Sequence, residues 1–202
     1  MKLNTCALVI FLGISILSCT SDVIPKPVGN FRIDIPKHNY YNLNQKELPY
    51  SFDYADYAQI NSFKDNNPYW LDIFYPKFKA KIYISYIKMD TSLSKYINES
   101  HDLAFKHASM AADIESEAVI DNSRKLYGLI YYIKGNNVAS PINFYLTDSV
   151  NNFLRGALYF NMAPKNDSLS PVIQDIEKDI KVLIKTFKWK MGFGTRYLCN
   201  KS

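Results

Sequence analysis

The sequence predicts an α+β domain: a twisted antiparallel sheet, built as a meander, packed by two long helices. Three observations carry that prediction. The segment Phe78–Lys88 ("FKAKIYISYIK") alternates with period two and puts Phe78, Ala80, Ile82, Ile84 and Tyr86 on one face of a strand. The next segment, Thr91–Ile114, switches to a helical period. Four strand-like runs with tight turn signals then lead into a second amphipathic stretch, Ser168–Trp189.

Composition agrees with one ordinary globular domain: 202 residues, 48% hydrophobic and 21% charged. The formal net charge of +5 is spread along the chain. Sixteen tyrosines and 12 phenylalanines against seven glycines favour antiparallel sheet over a dinucleotide-binding α/β fold.

Taken in order, the first 18 residues read as a lipoprotein signal peptide. Lys2 gives the positive start, and Cys6–Leu17 is almost wholly apolar. Twelve residues at about 1.5 Å each reach only ~18 Å across a ~30 Å hydrocarbon core, so this run is an export signal rather than a span. Ile16-Leu17-Ser18-Cys19 has the lipobox arrangement, two apolar residues and a small one before a cysteine. Cys19 is the expected lipidation site, its thiol taking up a diacylglyceryl group with palmitate-type chains; several acyl chains anchor stably where one does not. With Cys6 lost and Cys19 lipidated, Cys199 remains a lone thiol, which excludes a disulfide within the mature chain. Residues 19–30 form a polar tether, 31–190 the α+β domain, and 191–202 an aperiodic, disordered tail.

Within the domain, short strands are predicted at Phe31–Ile35, Tyr50–Tyr54 and Tyr69–Tyr75, then the alternating Phe78–Lys88. In the first helix Leu93, Tyr96, Ile97, Leu103, Ala104, Ala108, Ala111 and Ile114 share the buried side, with Thr91 or Ser92 as cap. The four later strands are Glu115–Ile120, Lys125–Lys134, Val138–Thr147 and Phe153–Asn161, joined by Asn-, Asp- and Gly-bearing turns. In the last helix Ser168 or Ser170 is the cap and Pro171 falls in the first turn. Its stripe is Val172, Ile173, Ile176, Ile180, Leu183, Ile184 and Phe187. Burying those seven side chains contributes on the order of 10–20 kcal/mol before entropy, so this helix is structural.

Catalytic signatures are missing from the sequence: there is no G-x-S-x-G, H-E-x-x-H or phosphate-binding loop, and "GFGTRY" lacks the third glycine and follows a helix. The expectation is no enzyme, no cofactor and no metal. His38 lies in a loop; His101 and His107 are six apart on the helix, the wrong spacing for a shared metal. "TDSVNNFLRG" offers a polar hairpin tip in which Asp148, Asn151, Asn152 and Arg155 form a candidate surface for a partner protein, with Asp148 and Arg155 brought near each other. The plainer reading is that Asp148 and Asn151 hold the turn and Arg155 makes a cross-strand pair. The aromatic stretches "YSFDYADY" and "YWLDIFY" are either sugar-stacking platforms or the inner face of a sheet. An exported chain has no nucleic-acid partner to meet, and the lysines of "KTFKWK" suit a helix C-terminus.

The run Leu126–Lys190, with "PKPVGNFRIDIP", "PYSFDY" and "YPKFKAKIYISY" before it and Cys19 at the lipobox, closely resembles the gliding motility lipoprotein family GldD. The resemblance covers nearly all of the mature chain and stops at Lys190. It implies a lipid-anchored cell-envelope protein of Bacteroidota-type bacteria, required for gliding and linked to the type IX secretion machinery. Its partners would be other gliding and secretion lipoproteins, with the anchor in a membrane facing the periplasm. Only Cys19 carries over as a functional residue. The element order also looks like the PsbP-type α+β sandwich. The alternative function is a periplasmic module that binds a glycan or small ligand.

Overall fold

The structure, a computed structural model, describes residues 36–62, 67–106, 111–135, 138–161 and 166–190. The predicted strand Phe31–Ile35, the signal peptide, Cys19, the tether, His107 and the tail over 191–202 lie outside the described residues.

The class is α+β, as the sequence predicts. The order is β1 (Tyr40–Leu43), β2 (Tyr50–Ala55), β3 (Gln59–Ser62), β4 (Leu71–Tyr75), a 3-10 turn (Pro76–Phe78) and β5 (Ala80–Lys88), then helix α1 (Leu93–Phe105). After it come β6 (Asp113–Asp121), β7 (Leu126–Lys134), β8 (Ile142–Thr147), β9 (Asn152–Phe160), helix α2 (Asn166–Thr186) and β10 (Lys188–Trp189). The strands divide into two sheets. The larger has seven strands, ordered β3-β4-β5-β9-β8-β7-β6, and the smaller has three, ordered β1-β2-β10. All described pairings are antiparallel, and β6 through β9 form the expected meander.

The alternation of β5 sets the two faces of the large sheet. Ala80, Ile82, Ile84 and Tyr86 turn to one side with Leu71, Ile73 and Tyr75 of β4 and Leu154 and Leu158 of β9. That face is closed by α2, through Val172, Ile176, Ile180, Leu183 and Ile184, and by Tyr50, Phe52 and Phe187. Tyr50, Phe52 and Phe187 stack with centroids 5.9–6.4 Å apart. Tyr50, Phe52 and Tyr75 are therefore inner-face residues at 0–1% exposure, and no sugar can stack on them.

The opposite face carries a second cluster: Tyr131, Ile133, Tyr145 and Phe153 from the sheet beneath Tyr96 and Ala104 of α1. Two helices on two faces give each face its own dry core, the usual solution for a sheet apolar on both sides.

Several boundaries differ from the sequence-based expectation. Helix α1 ends at Phe105, and Ile114, expected on its buried stripe, lies in β6 and pairs with Ile133 of β7. The alternating "DIESEAVID" gains a nine-residue ladder with β7, which outweighs the helical preference of the alanines before it. Leu103 stands 54% exposed rather than buried. Phe78 keeps its buried phase, but it sits in the 3-10 turn, and Lys79 takes a left-handed conformation at φ 49° before the strand starts. Helix α2 starts at Asn166, so Pro171 lies inside it, in the second turn. The hydrogen bond lost there falls close to an end where donors lack partners anyway.

Candidate functional site

The hairpin between β8 and β9 is organised by one carboxylate. Asp148 Oδ1 accepts the backbone N–H groups of Val150 (2.9 Å), Asn151 (2.8 Å) and Asn152 (2.8 Å), and Oδ2 accepts the Asn152 amide at 2.6 Å. Thr147 Oγ1 donates to the Asn152 carbonyl and accepts the Ser149 N–H. Ser149 itself is left-handed at φ 64°. Burial raises the Asp148 pKa, but the backbone donors of Asn152, Val150 and Asn151 outweigh it and hold the carboxyl below the usual range. The tip is fastened to β5 as well, since Met89 N donates to the Asn151 carbonyl and Tyr86 Oη to Asn152 Oδ1.

Arg155 is not part of that tip. Its cross-strand neighbours are Tyr145 and Ser85, and its Nη2 donates to Glu99 Oε2 of α1 at 2.7 Å. The expected approach of Asp148 to Arg155 is thus corrected: each is bound elsewhere, Asp148 to its own turn and Arg155 to the helix above it. What the hairpin offers to solvent is Val150, 69% exposed, and the side chain of Asn151. Ile120, 73% exposed at the end of β6, lies at the same end of the sheet, because Ile120 pairs Tyr127, Tyr127 pairs Thr147 and Thr147 pairs Phe153.

Beside Arg155 the α1-covered face opens into a cleft of about 400 Å³. Ser100 and Ala104 line it from α1, Lys106 from the residue just past the helix, and Ser85, Asn143, Arg155, Ala157 and Tyr159 from the sheet. The helix is buried at Tyr96, Ser100 and Ala104, one turn apart each, so its underside steps from a large residue to two small ones. Ser85 and Ala157 opposite are small too, and the space between stays open.

A third assembly was not foreseen from the sequence. His38 Nδ1 is 2.8 Å from Asp179 Oδ1, and Nε2 is 2.8 Å from Asp175 Oδ1, both acids on α2. Tyr57 and Tyr40 donate their hydroxyls to Asp179 at 2.6 and 3.0 Å. A carboxylate only accepts, so both imidazole nitrogens must donate, which requires the imidazolium. Burial lowers the His38 pKa, but the hydrogen bonds and charges of Asp179 and Asp175 together lift it above its ordinary value. Burial, and then Asp179, push the hydroxyls of Tyr57 and Tyr40 far up, so both stay protonated donors. The cluster joins the segment entering β1 to α2. The signal that could have revealed it is the pair Asp175 and Asp179, four apart and interleaved with Ile176 and Ile180 of the apolar stripe.

His101 is half exposed and stacks on Phe105 at 4.1 Å, its Nδ1 3.8 Å from Asp102. Among the described residues no group of three or more His, Cys, Asp or Glu side chains is placed to hold a metal ion.

The family described as gliding motility lipoprotein GldD matches residues 20–189. No curated protein matches the chain. Among solved structures, the chain is similar to cyanobacterial PsbP (CyanoP) from Synechocystis sp. PCC 6803, at 10% identity and a TM-score of 0.46, over 81% of this chain and 99% of that one. It is also similar to the Ran-binding protein Mog1p of Saccharomyces cerevisiae, at 7% identity and a TM-score of 0.49, over 76% of this chain and 96% of that one.

Proposed function

The chain belongs to the gliding motility lipoprotein GldD family, and from that premise we propose that it is an envelope protein anchored through lipid on Cys19. It faces the periplasm and works by protein–protein contact rather than catalysis, helping to assemble or stabilise the motility and type IX secretion machinery with other envelope lipoproteins. The observation that carries this reading is the family match over residues 20–189, which begins directly after Cys19. The end of the sheet supplies a contact surface that suits it: Val150, 69% exposed, stands on a turn made rigid by Asp148, and Ile120, 73% exposed, stands at the same end of the sheet on β6. An apolar side chain presented by a pre-ordered loop loses little entropy on docking.

Two experiments test the proposal. Cys19→Ala should move the protein out of the membrane fraction, and a variant still firmly in the membrane removes the anchor from the account. For docking, Val150→Lys with Asn151→Lys is the right variant, because both side chains are exposed, whereas Asp148 holds the turn itself and Arg155 pairs with Glu99 of α1. A folded, membrane-bound double variant should lose gliding and its crosslinked partners. Unchanged gliding and crosslinks would rule out this surface.

A further inference from the structure

We propose that the cleft between α1 and the sheet binds a small sugar carrying a carboxylate, with Arg155 as its anion anchor and Tyr159 as its stacking wall. Its volume, about 400 Å³, lies within the range of small-ligand sites. Among the described residues, the charged side chains that line it, Arg155 and Lys106, are both cationic and no acid lines it. Glu99, the acid that holds Arg155, stands outside the lining and is 45% exposed. An incoming carboxylate can therefore take over the guanidinium while Glu99 turns to water, so the cation is never left bare. Phe153 packs beneath the guanidinium at 5.7 Å and fixes its plane.

The walls suit a polyhydroxylated ring. Tyr159 and Tyr83 meet edge to face at 5.5 Å and are 37% and 39% exposed. Lys81 Nζ lies 4.2 Å over the Tyr83 ring, which leaves Tyr159 as the face for the apolar side of a sugar. Ser85, Tyr131 and Tyr159 bring hydroxyls that make no protein hydrogen bond among the described residues, beside the Asn143 amide, which Ser140 holds at both ends. Here small residues face each other across it, Ser100 and Ala104 against Ser85 and Ala157.

The test is isothermal titration of the full-length protein in detergent with glucuronate, glucose and acetate. Glucuronate should bind saturably, glucose should give no saturable heat, and acetate should bind at least tenfold more weakly. Arg155→Gln should weaken glucuronate at least tenfold. Ala157→Leu, which fills the cleft and keeps the guanidinium, should abolish binding with the melting temperature nearly unchanged; it carries the test alone if Arg155→Gln does not fold. Glucose or acetate binding as tightly as glucuronate overturns the proposal. So does no saturable glucuronate binding, or wild-type affinity in a folded variant. None of these outcomes bears on gliding or crosslinking, so the docking reading stands or falls separately.

Discussion

His38 Nδ1 meets Asp179 Oδ1 at 2.8 Å across 141 residues of sequence, so an imidazolium near the start of the domain is fastened to the middle of its last helix. Asp175 and Asp179 are 0% and 2% exposed, while His38 is 23% exposed. Tyr40 and Tyr57 face the ring, and Lys178 Nζ lies 3.4 Å from Asp175 Oδ1. Its folded pKa is raised, so its contribution is fully present below the unfolded value of about 6.5 and is lost as pH climbs through the folded pKa. An NMR titration of the His38 ring should give a midpoint above 6.5; one at or below that value discards the clamp. His38→Gln should cost about 3 kcal/mol below pH 6.5, because it takes the positive charge from between two buried carboxylates.

Asp148 works in the opposite sense. Its folded pKa is depressed by the turn donors against the effect of burial, so its contribution is present above about pH 4 and fades as pH falls through the folded pKa. Asp148→Ala removes the acceptor of three backbone N–H groups and should cost about 2–3 kcal/mol near neutral pH. Asp148→Asn, which keeps a carbonyl acceptor, should cost roughly half as much. Equal losses in denaturant unfolding would show that the charge and the acceptor do not matter separately.

What was legible in the sequence follows from where the energy lies. Strand β5 and helix α2 each bury one face, so burial writes its period into the residues: Ala80, Ile82, Ile84 and Tyr86 every second place, and Val172, Ile176, Ile180 and Leu183 every third or fourth. Strands β1 and β3 are four residues each and mostly exposed, held by backbone ladders that any side chain allows, and so they leave no pattern. The division into two sheets was hidden for the same reason, since β10 adds only Lys188 and Trp189 to β2. The cleft was illegible because it depends on small residues from α1, β5 and β9 meeting in space. Of the two residues the sequence offers to hold the hairpin, Asp148 does so through its carboxylate, and Asn151 through its backbone N–H and carbonyl. Arg155 was misassigned, because its partner Glu99 lies 56 residues away on a helix.

Arg124 closes the C-terminus of α2. Its Nη1 donates to the carbonyls of Ile184, Lys185 and Phe187 at 3.1, 2.7 and 3.0 Å, while Nε holds Asp121 at 2.8 Å. Ile184 and Lys185 lie in the last turn, where helix carbonyls lose their i+4 donors, and Phe187, whose N–H also reaches Ile184 O at 3.3 Å, is the first residue past the helix. Arg124→Ala should therefore lower stability by about 1–2 kcal/mol. Arg124→Lys should recover less than half of that, since one ammonium cannot span three carbonyls and Asp121 together. Full recovery by lysine would mean that charge alone, not the planar fork, closes the helix.

Gly156 and Phe144 are cross-strand partners, and the ring of Phe144 occupies the space a side chain at 156 would need. A Cβ there would lie 2.0 Å from Phe144 Cζ and 2.3 Å from Cε1. Phe144 is 3% exposed and packs in the core beneath α2, so the ring cannot swing into solvent. Gly156→Ala should then cost about 2–3 kcal/mol as overpacking. Phe144→Leu alone should cost about 1–2 kcal/mol through the cavity it leaves. Combined, the two should cost clearly less than their sum, because the shorter side chain vacates the space that the new methyl needs. Denaturant unfolding of the four proteins in that cycle decides the matter: simple additivity would mean the strand backbone yields instead of the ring.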